Sequence, residues 1–295
     1  AVSQQDPSRI SGGLQDNGSV RSWAGWDNYL GGDGLKNLID PTNHQKVYAC
    51  SQDGACSRST DGGNTMTPLR GMTSQRQAWL TPMEFDPRNP QIVYYGGNIL
   101  NRSTDSGATF KAISKDLSKG GQGGDSRWGT ISAIAAARTD GKVIYVGTND
   151  GNLWVTRDTG ATWSQINKGL PNRWITAVAV DPADANRAYV TVSGYRNGES
   201  KAHVFRTTDG GRTWADISGN LPDTPVNDLV IDPVDRTRLH VATDVGVFSG
   251  GGAAWEPSGT GLPQVPVTDL ATNVTGGRTV LTAGTFGLGV WRLTR

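Results

Sequence analysis

The amino-acid sequence predicts an all-β fold, a seven-bladed β-propeller of four-stranded antiparallel blades. Three observations carry the prediction. A turn element of the form Ser/Thr-x-Asp-x-Gly-x-Thr, closed by Met, Phe or Trp, recurs along the chain. A second element, an apolar residue followed by Asp-Pro, recurs between its copies. No ten-residue stretch repeats apolar residues at i, i+3 and i+4, so helices are not expected. Divided into seven units, the chain gives about 42 residues to each, the length of a four-stranded propeller blade.

The units follow one another in order. Residues 1–13, AVSQQDPSRISGG, fit the register of a first unit whose opening strand is cut short. The second holds Ile39-Asp40-Pro41, then Val47-Tyr48, then STDGGNTM from Ser59 to Met66. The third runs from Phe85-Asp86-Pro87 through Val93-Tyr94 to STDSGATF, ending at Phe110. In the fourth, Ala135–Ala137 replaces Asp-Pro ahead of Ile144-Tyr145 and TRDTGATW, ending at Trp163. Val180-Asp181-Pro182, Ala188-Tyr189 and TTDGGRTW, ending at Trp214, make the fifth. The sixth has Ile231-Asp232-Pro233, Leu239-His240 and a degraded turn, SGGGAAW, from Ser249 to Trp255. Leu270–Asn273 before Val280-Leu281 marks the seventh. In the Asp-Pro copies of units two, three, five and six, the Asp stands eight residues before the Tyr, or before His240.

Four short strands fit each unit. In the fourth, Ile131–Ala136 alternates, Lys142–Gly147 is β-branched and aromatic, and Asn152–Thr156 and Thr162–Ile166 follow turns. A ring of such blades is one domain spanning residues 1–295. Six blades is the alternative count, in which the N-terminal unit only completes the last blade. Because the first unit opens mid-strand, the chain reads as a fragment of a longer protein. In the turn element, Asp accepts backbone N–H groups and Gly supplies positive φ, while the closing aromatic packs between neighbouring blades. Asp61, Asp105, Asp158 and Asp209 are therefore expected to be scaffold and not catalytic acids.

Composition excludes several classes. With 28 Lys+Arg against 27 Asp+Glu, the net charge is +1 and no basic run appears, so no nucleic-acid partner is expected. No run of 18 apolar residues offers a membrane span. No Ser-His-Asp arrangement, phosphate loop or dinucleotide fingerprint is present, and no cofactor is expected. Cys50 and Cys56 flank the tip of an expected hairpin, and two readings stand: a disulfide, which favours a secreted or periplasmic protein, or two free thiols in a cytosolic one. With three His in the chain, the pair makes a poor zinc site, and no metal site is assigned. Asp16-Asn17-Gly18 and Asn149–Asn152 are pieces of a calcium loop, which solvated turns explain equally well.

The Ser-x-Asp-x-Gly-x-Thr-Trp element resembles the Asp-box (BNR) repeat of sialidases, xyloglucanase-type glycoside hydrolases, sortilin-type receptors and photosystem assembly factors. GGLQDNG at 12–18, GTNDGN at 147–152, TDVGVF at 243–248 and TFGLGVW at 285–291 resemble secreted bacterial propellers of glycosyl hydrolase-like type. The likeness spans nearly the whole chain. It implies a propeller and leaves activity open, since the scaffold hosts enzymes and binders alike. Arg9-Ile10 is followed by Ser11 where sialidases carry Arg-Ile-Pro, and the chain has three Glu, which argues against sialidase activity. Xyloglucanases place two catalytic Asp on two propellers facing one cleft. Asp53, in Gln52-Asp53-Gly54, and Asp244, in Asp244-Val245-Gly246, loosely match the Asp-x-Gly turns that hold those acids, so a second propeller of the same protein is an expected partner.

Register places the turns between second and third strands, and the loops entering each first strand, at one end of the ring. That rim carries Trp79, Trp128 and Trp174, with Arg76, Arg127 and Arg173 shortly before them, read as three Arg/Trp pairs. Asp16, Asp33, Asp53 and Asp244 join them. Trp faces stack on sugar rings and Arg forks bind carboxylates, so the rim suits a polysaccharide or glycan, including an acidic one. Capping of the blade edges by each Trp, and pairing of each Arg with a rim Asp, is the competing structural explanation. Glycoside hydrolysis needs two carboxyl groups flanking one bond, and Asp53, Asp244 and Asp33 are the candidates. The same residues are suited to shaping turns. A non-catalytic module binding glycan or protein through the Arg/Trp arc is the alternative function.

Overall fold

Short β-prone segments separated by glycine-rich turns can bury their apolar faces only against neighbouring sheets. The computed structural model, which describes residues 1–121, 127–252 and 254–295, arranges them as seven antiparallel sheets. Blade I comprises Ile10–Leu14, Gly18–Ser22 and Trp26–Leu30, with Val2 bridging to Ile10 where an innermost strand would run. Blade II comprises Asn37–Ile39, Val47–Cys50, Cys56–Ser59 and Thr67–Pro68. Blade III comprises Met83–Asp86, Asn89–Gly96, Leu100–Ser103 and Lys111–Ala112. Blade IV comprises Ile131–Ala136, Ile144–Thr148, Leu153–Thr156 and Ser164–Gln165. Blade V comprises Trp174–Asp181, Asp184–Ser193, Val204–Thr207 and Ala215–Asp216. Blade VI comprises Val226–Ile231, Leu239–Thr243, Gly246–Gly250 and Trp255–Pro257, and blade VII Val267–Thr275, Arg278–Thr285 and Val290–Thr294. The fold is thus the seven-bladed propeller, and the six-bladed alternative is set aside. Among the described residues the only helical turns are Gln52–Gly54 and Tyr195–Asn197.

The apolar core lies between blades. Five clusters fill the joints from II/III to VI/VII in succession. Second strands are covered on both faces, so Val47–Cys50, Ile144–Thr148 and Leu239–Thr243 are buried throughout instead of alternating. Polar staples add direction. At bulges in the innermost strands of blades IV, V and VI, Ser132, Thr176 and Asn227 donate to Ile175, Val226 and Val267 carbonyls of the next blade (2.6, 2.7 and 2.9 Å). Each satisfies a carbonyl that the bulge would otherwise strand.

Both repeated elements have a local cause. Asp40, Asp86, Asp181 and Asp232 are buried, and each accepts the N–H two residues on, across a Pro in every case. That is an Asx turn, which tolerates the missing Pro donor. The eight-residue spacing lets Tyr94 donate to Asp86 (3.2 Å) and sets His240 beside Asp232 (3.1 Å). In the Ser/Thr-x-Asp-x-Gly-x-Thr turns, the Asp158 carboxylate accepts from Thr162 N–H and from the Thr156 and Thr162 hydroxyls. Those hydrogen bonds, Thr162 foremost, hold it down at about 2. Trp163, Trp214 and Trp255 each donate an indole N–H to the preceding blade. Ala253 of the degraded copy lies outside the described residues. Cys50 and Cys56 face each other across the blade II hairpin and are joined as a disulfide.

Candidate functional site

Turns between second and third strands meet the loops entering the innermost strands at one end of the ring. Hydrogen bonds clasp them together. The Asp53 N–H donates to the Trp79 carbonyl (3.3 Å). The Asn98 side-chain oxygen accepts from Gln75 and Arg76 N–H (2.9 and 3.2 Å), and that of Asn149 from Gly129 and Thr130 N–H (3.0 and 3.1 Å). These amides fix the loops that present the aromatic residues.

Trp79, Trp128 and Trp174, all half-buried, share this rim across blades III to V. Their cation partners differ from the three sequential pairs expected. Arg127 lies over Trp79 (4.5 Å to the ring centre) and pairs with Asp53 (2.7 Å). Arg196, from the long blade V turn, lies over Trp174 at 4.4 Å and Trp128 at 5.4 Å. Arg76 turns to Asp116 (2.5 Å) and the Gly129 carbonyl, and Arg173 to Glu199 (3.1 Å). Arg127 and Arg173 stand in the turns that lead into the innermost strands, and their side chains leave toward Asp53 and Glu199 instead of covering the Trp directly after them. Glu199 also meets His203 (2.8 Å), and that bond, with the Arg173 pair, holds its carboxyl below the usual range.

The cation contacts are weak enough to be exchanged for a ligand. Arg127 and Asp53 are about half exposed, 48% and 47%, where an ion pair contributes roughly 0–1 kcal/mol. An exposed cation–π contact adds about 0.5–1 kcal/mol. Arg196 is exposed and has no carboxylate partner among the described residues. Tyr195, 71% exposed, stands beside it.

The candidate acids divide into two groups. Asp16 and Asp53 have φ of 64° and 57°, the left-handed conformation of tight turns. Asp33 accepts the Asp16 N–H (2.8 Å), and its own N–H donates to Gln52 (2.9 Å), so Asp16, Asp33 and the Asp53 turn adjoin. Asp244 stands apart on blade VI, accepting from the Asn227 amide (2.8 Å). Asp150, in the expected calcium-loop fragment, is occupied by the Thr148 hydroxyl and the Lys119 N–H.

Sequence reasoning missed two features. Arg196 had no signal besides its place in the longest turn between second and third strands. The other is a charged quartet of Lys36, Glu84, Asp228 and Asp269, three partly buried and Asp269 exposed, contributed by or beside the innermost strands of blades II, III, VI and VII. Lys36 bonds Glu84 at 2.7 Å. Burial first, then the charge of Asp269, pushes the Asp228 carboxyl well above the usual range, although it accepts the Leu270 N–H (2.8 Å). Asp at one register position of consecutive units VI and VII was the available signal.

Fold and rim together define a seven-bladed propeller with an aromatic, arginine-bearing face. The Sortilin-Vps10 family model (sortilin, neurotensin receptor 3) matches residues 98–227, which hold most of that face. A xyloglucanase of Hypocrea jecorina is 30% identical over 248 residues, covering 71% of this chain and 28% of the relative. The dispase autolysis-inducing protein of Streptomyces mobaraensis is 27% identical, covering 68% of this chain and 77% of the relative. Among solved structures, an ancestral GH74 enzyme superposes with a TM-score of 0.67 at 16% identity, over 97% of this chain and 38% of that one. The chain therefore spans about a quarter of the xyloglucanases it matches, 28% and 24%.

Proposed function

We propose that this chain is an extracellular, glycoside hydrolase-like propeller of Asp-box type that binds polysaccharide along the Trp79–Trp128–Trp174 arc. The observation that carries the reading is the gathering of three half-buried indoles and two guanidinium groups on one rim. Similarity to xyloglucanases supports a β-glucan backbone as the ligand class. The Cys50–Cys56 disulfide supports a secreted or periplasmic setting. Co-sedimentation of the chain with xyloglucan and other plant polysaccharides tests the reading. Trp128→Ala with Trp174→Ala is expected to weaken binding by about tenfold per indole, roughly 1.4 kcal/mol each. Unchanged binding defeats it.

A second reading is hydrolysis, favoured by Asp53, the one candidate acid in contact with an arginine of the arc. Retaining and inverting glycosidases need a second carboxyl group about 5–10 Å away. Asp33 adjoins, while Asp244 does not, and a second propeller of the same protein is the proposed source of the missing acid. Release of reducing ends by residues 1–295 alone, abolished by Asp53→Ala, would favour catalysis within this propeller.

A further inference from the structure

Arg76, Arg127, Arg173 and Arg196 all reach the aromatic rim, and the first three are held by carboxylates, those of Asp116, Asp53 and Glu199. Arg196 is the exception. It is exposed, has no carboxylate partner among the described residues, and reaches the Trp174 and Trp128 rings at 4.4 and 5.4 Å from their centres. The carboxylate of its own turn is already engaged, since Glu199 offers one oxygen to Arg173 and the other to His203.

The turn beneath Arg196 is itself well ordered. The Asn197 and Glu199 N–H groups donate to the Gly194 carbonyl (2.7 and 3.1 Å), and the Gly198 N–H to that of Tyr195 (3.0 Å). Gly198 closes the turn at φ 72°, a conformation that favours glycine. At Gly194 a side chain would collide with Glu199, because a Cβ there would stand 2.6 Å from its Oε2 and 2.8 Å from its Cβ. The backbone that carries the guanidinium is thus in place before any ligand arrives, which lowers the ordering cost of binding.

We propose that Arg196, with Trp128 and Trp174, forms a subsite for a uronic acid, a pyranose unit that bears a carboxylate on its ring. The inference rests on the arc being a polysaccharide site and adds what that polysaccharide carries. The negative face of an indole takes the C–H face of a pyranose, and a carboxylate on that sugar projects at its edge. A guanidinium already at both indoles is placed to grip that edge through two parallel N–H···O bonds. The ligand draws Arg196 off the rings, exchanging an exposed cation–π contact for a charge-assisted pair. A neutral sugar displaces the same contact and leaves the cation without an anion, so charge on the ligand is what this residue selects.

The test titrates the chain of residues 1–295 with cellohexaose and with its form oxidised at C6 to glucuronate, by isothermal calorimetry at about 50 mM NaCl. The oxidised oligomer is expected to bind about tenfold tighter, an advantage that shrinks several-fold at about 500 mM NaCl. Arg196→Gln should bring the two affinities within about twofold of each other, and Arg196→Lys, which keeps the charge and loses the fork, should recover only part of the difference. Lys201→Gln removes an exposed charge just beyond the same turn and should leave the ratio unchanged. Equal affinities for the two oligomers, or a ratio that Lys201→Gln lowers as far as Arg196→Gln does, overturn the proposal while the polysaccharide reading stands. Failure of the oxidised oligomer to bind overturns it as well, and co-sedimentation with xyloglucan then decides whether the polysaccharide reading falls with it.

Discussion

His240 shows how one residue departs from a repeat and acquires a consequence. Blades II, III, IV and V carry Tyr48, Tyr94, Tyr145 and Tyr189 at its register. Burial pushes the imidazole below its ordinary value, and the nearby Asp232 does not offset this. The native state therefore holds it neutral. Its stability contribution is complete above the unfolded value of about 6.5 and is lost as pH falls below it. His240→Tyr, which should reach Asp232 as Tyr94 reaches Asp86, is expected to flatten the fall in melting temperature between pH 7 and pH 5. An unaltered slope would disprove this. Asp228 runs the other way. Its raised value makes its contribution complete below about pH 4, where the unfolded carboxyl is protonated, and lost as pH rises through the folded value. Relative to the parent chain, with Asp269, Lys36 and Glu84 facing the same group, Asp228→Asn should be more favourable at pH 8 than at pH 5 by thermal melts. Trp79 and Trp174 were readable as rim residues because both precede Asp-Pro at the same spacing, and Trp128 because it stands in the corresponding loop of the fourth unit, which has no Asp-Pro. Arg196 was not, because its approach to two indoles depends on how a long turn folds back across a neighbouring blade.

At the scale of elements, the joints between blades bear the stability, and the closing aromatic of each turn is the part whose removal should show it. Trp255 sits in an apolar cluster with Leu221, Leu229 and Val241 and donates to the Ile217 carbonyl. Trp255→Ala leaves both a cavity and an unpaired carbonyl, and chemical denaturation should register a loss of about 3–5 kcal/mol. Trp26, 57% exposed on the outer strand of blade I, is the control, and its replacement by Ala should cost about 0.5 kcal/mol or less. A comparable loss at both sites would refute the view that these tryptophans lock adjacent blades. Second strands were legible as short apolar runs, and Asp-Pro as a turn, because each has a local cause in burial on two faces or an Asx turn. Outermost strands of two residues, such as Ser164–Gln165, have no pattern of their own and owe their pairing to the turn before them. The rearranged Arg/Trp contacts were illegible for a similar reason: sequence distance fixes which side of a strand a residue takes, not which blade its side chain reaches.

Around the whole ring, the joints are not equal. Apolar clusters fill the five joints from II/III to VI/VII, while polar contacts hold blade I to its neighbours. Between I and II the Ser11 hydroxyl and the Tyr29 phenol both reach Asn37 (2.8 and 2.5 Å). Between VII and I the ring is closed by the buried Asn273 amide donating to the Ser3 carbonyl (2.8 Å), the Gln4 amide to Thr272 (2.9 Å), and Arg292 to Pro7. Directional bonds of this kind contribute about 1 kcal/mol each, against 1.5–3 kcal/mol for each large apolar side chain fully buried elsewhere. A ring of repeats opens first at its weakest joint, so amide exchange should be fastest in blades I and VII and slowest in blades III to V. Asn273→Ala should lower stability by about 1–3 kcal/mol, since it leaves the buried Ser3 carbonyl without its donor. The same substitution should accelerate exchange in blades I and VII and leave the blade IV strand Ile144–Thr148 protected. Exchange that quickens uniformly around the ring would mean the seven blades open as one cooperative unit, and the seam would then have no separate existence.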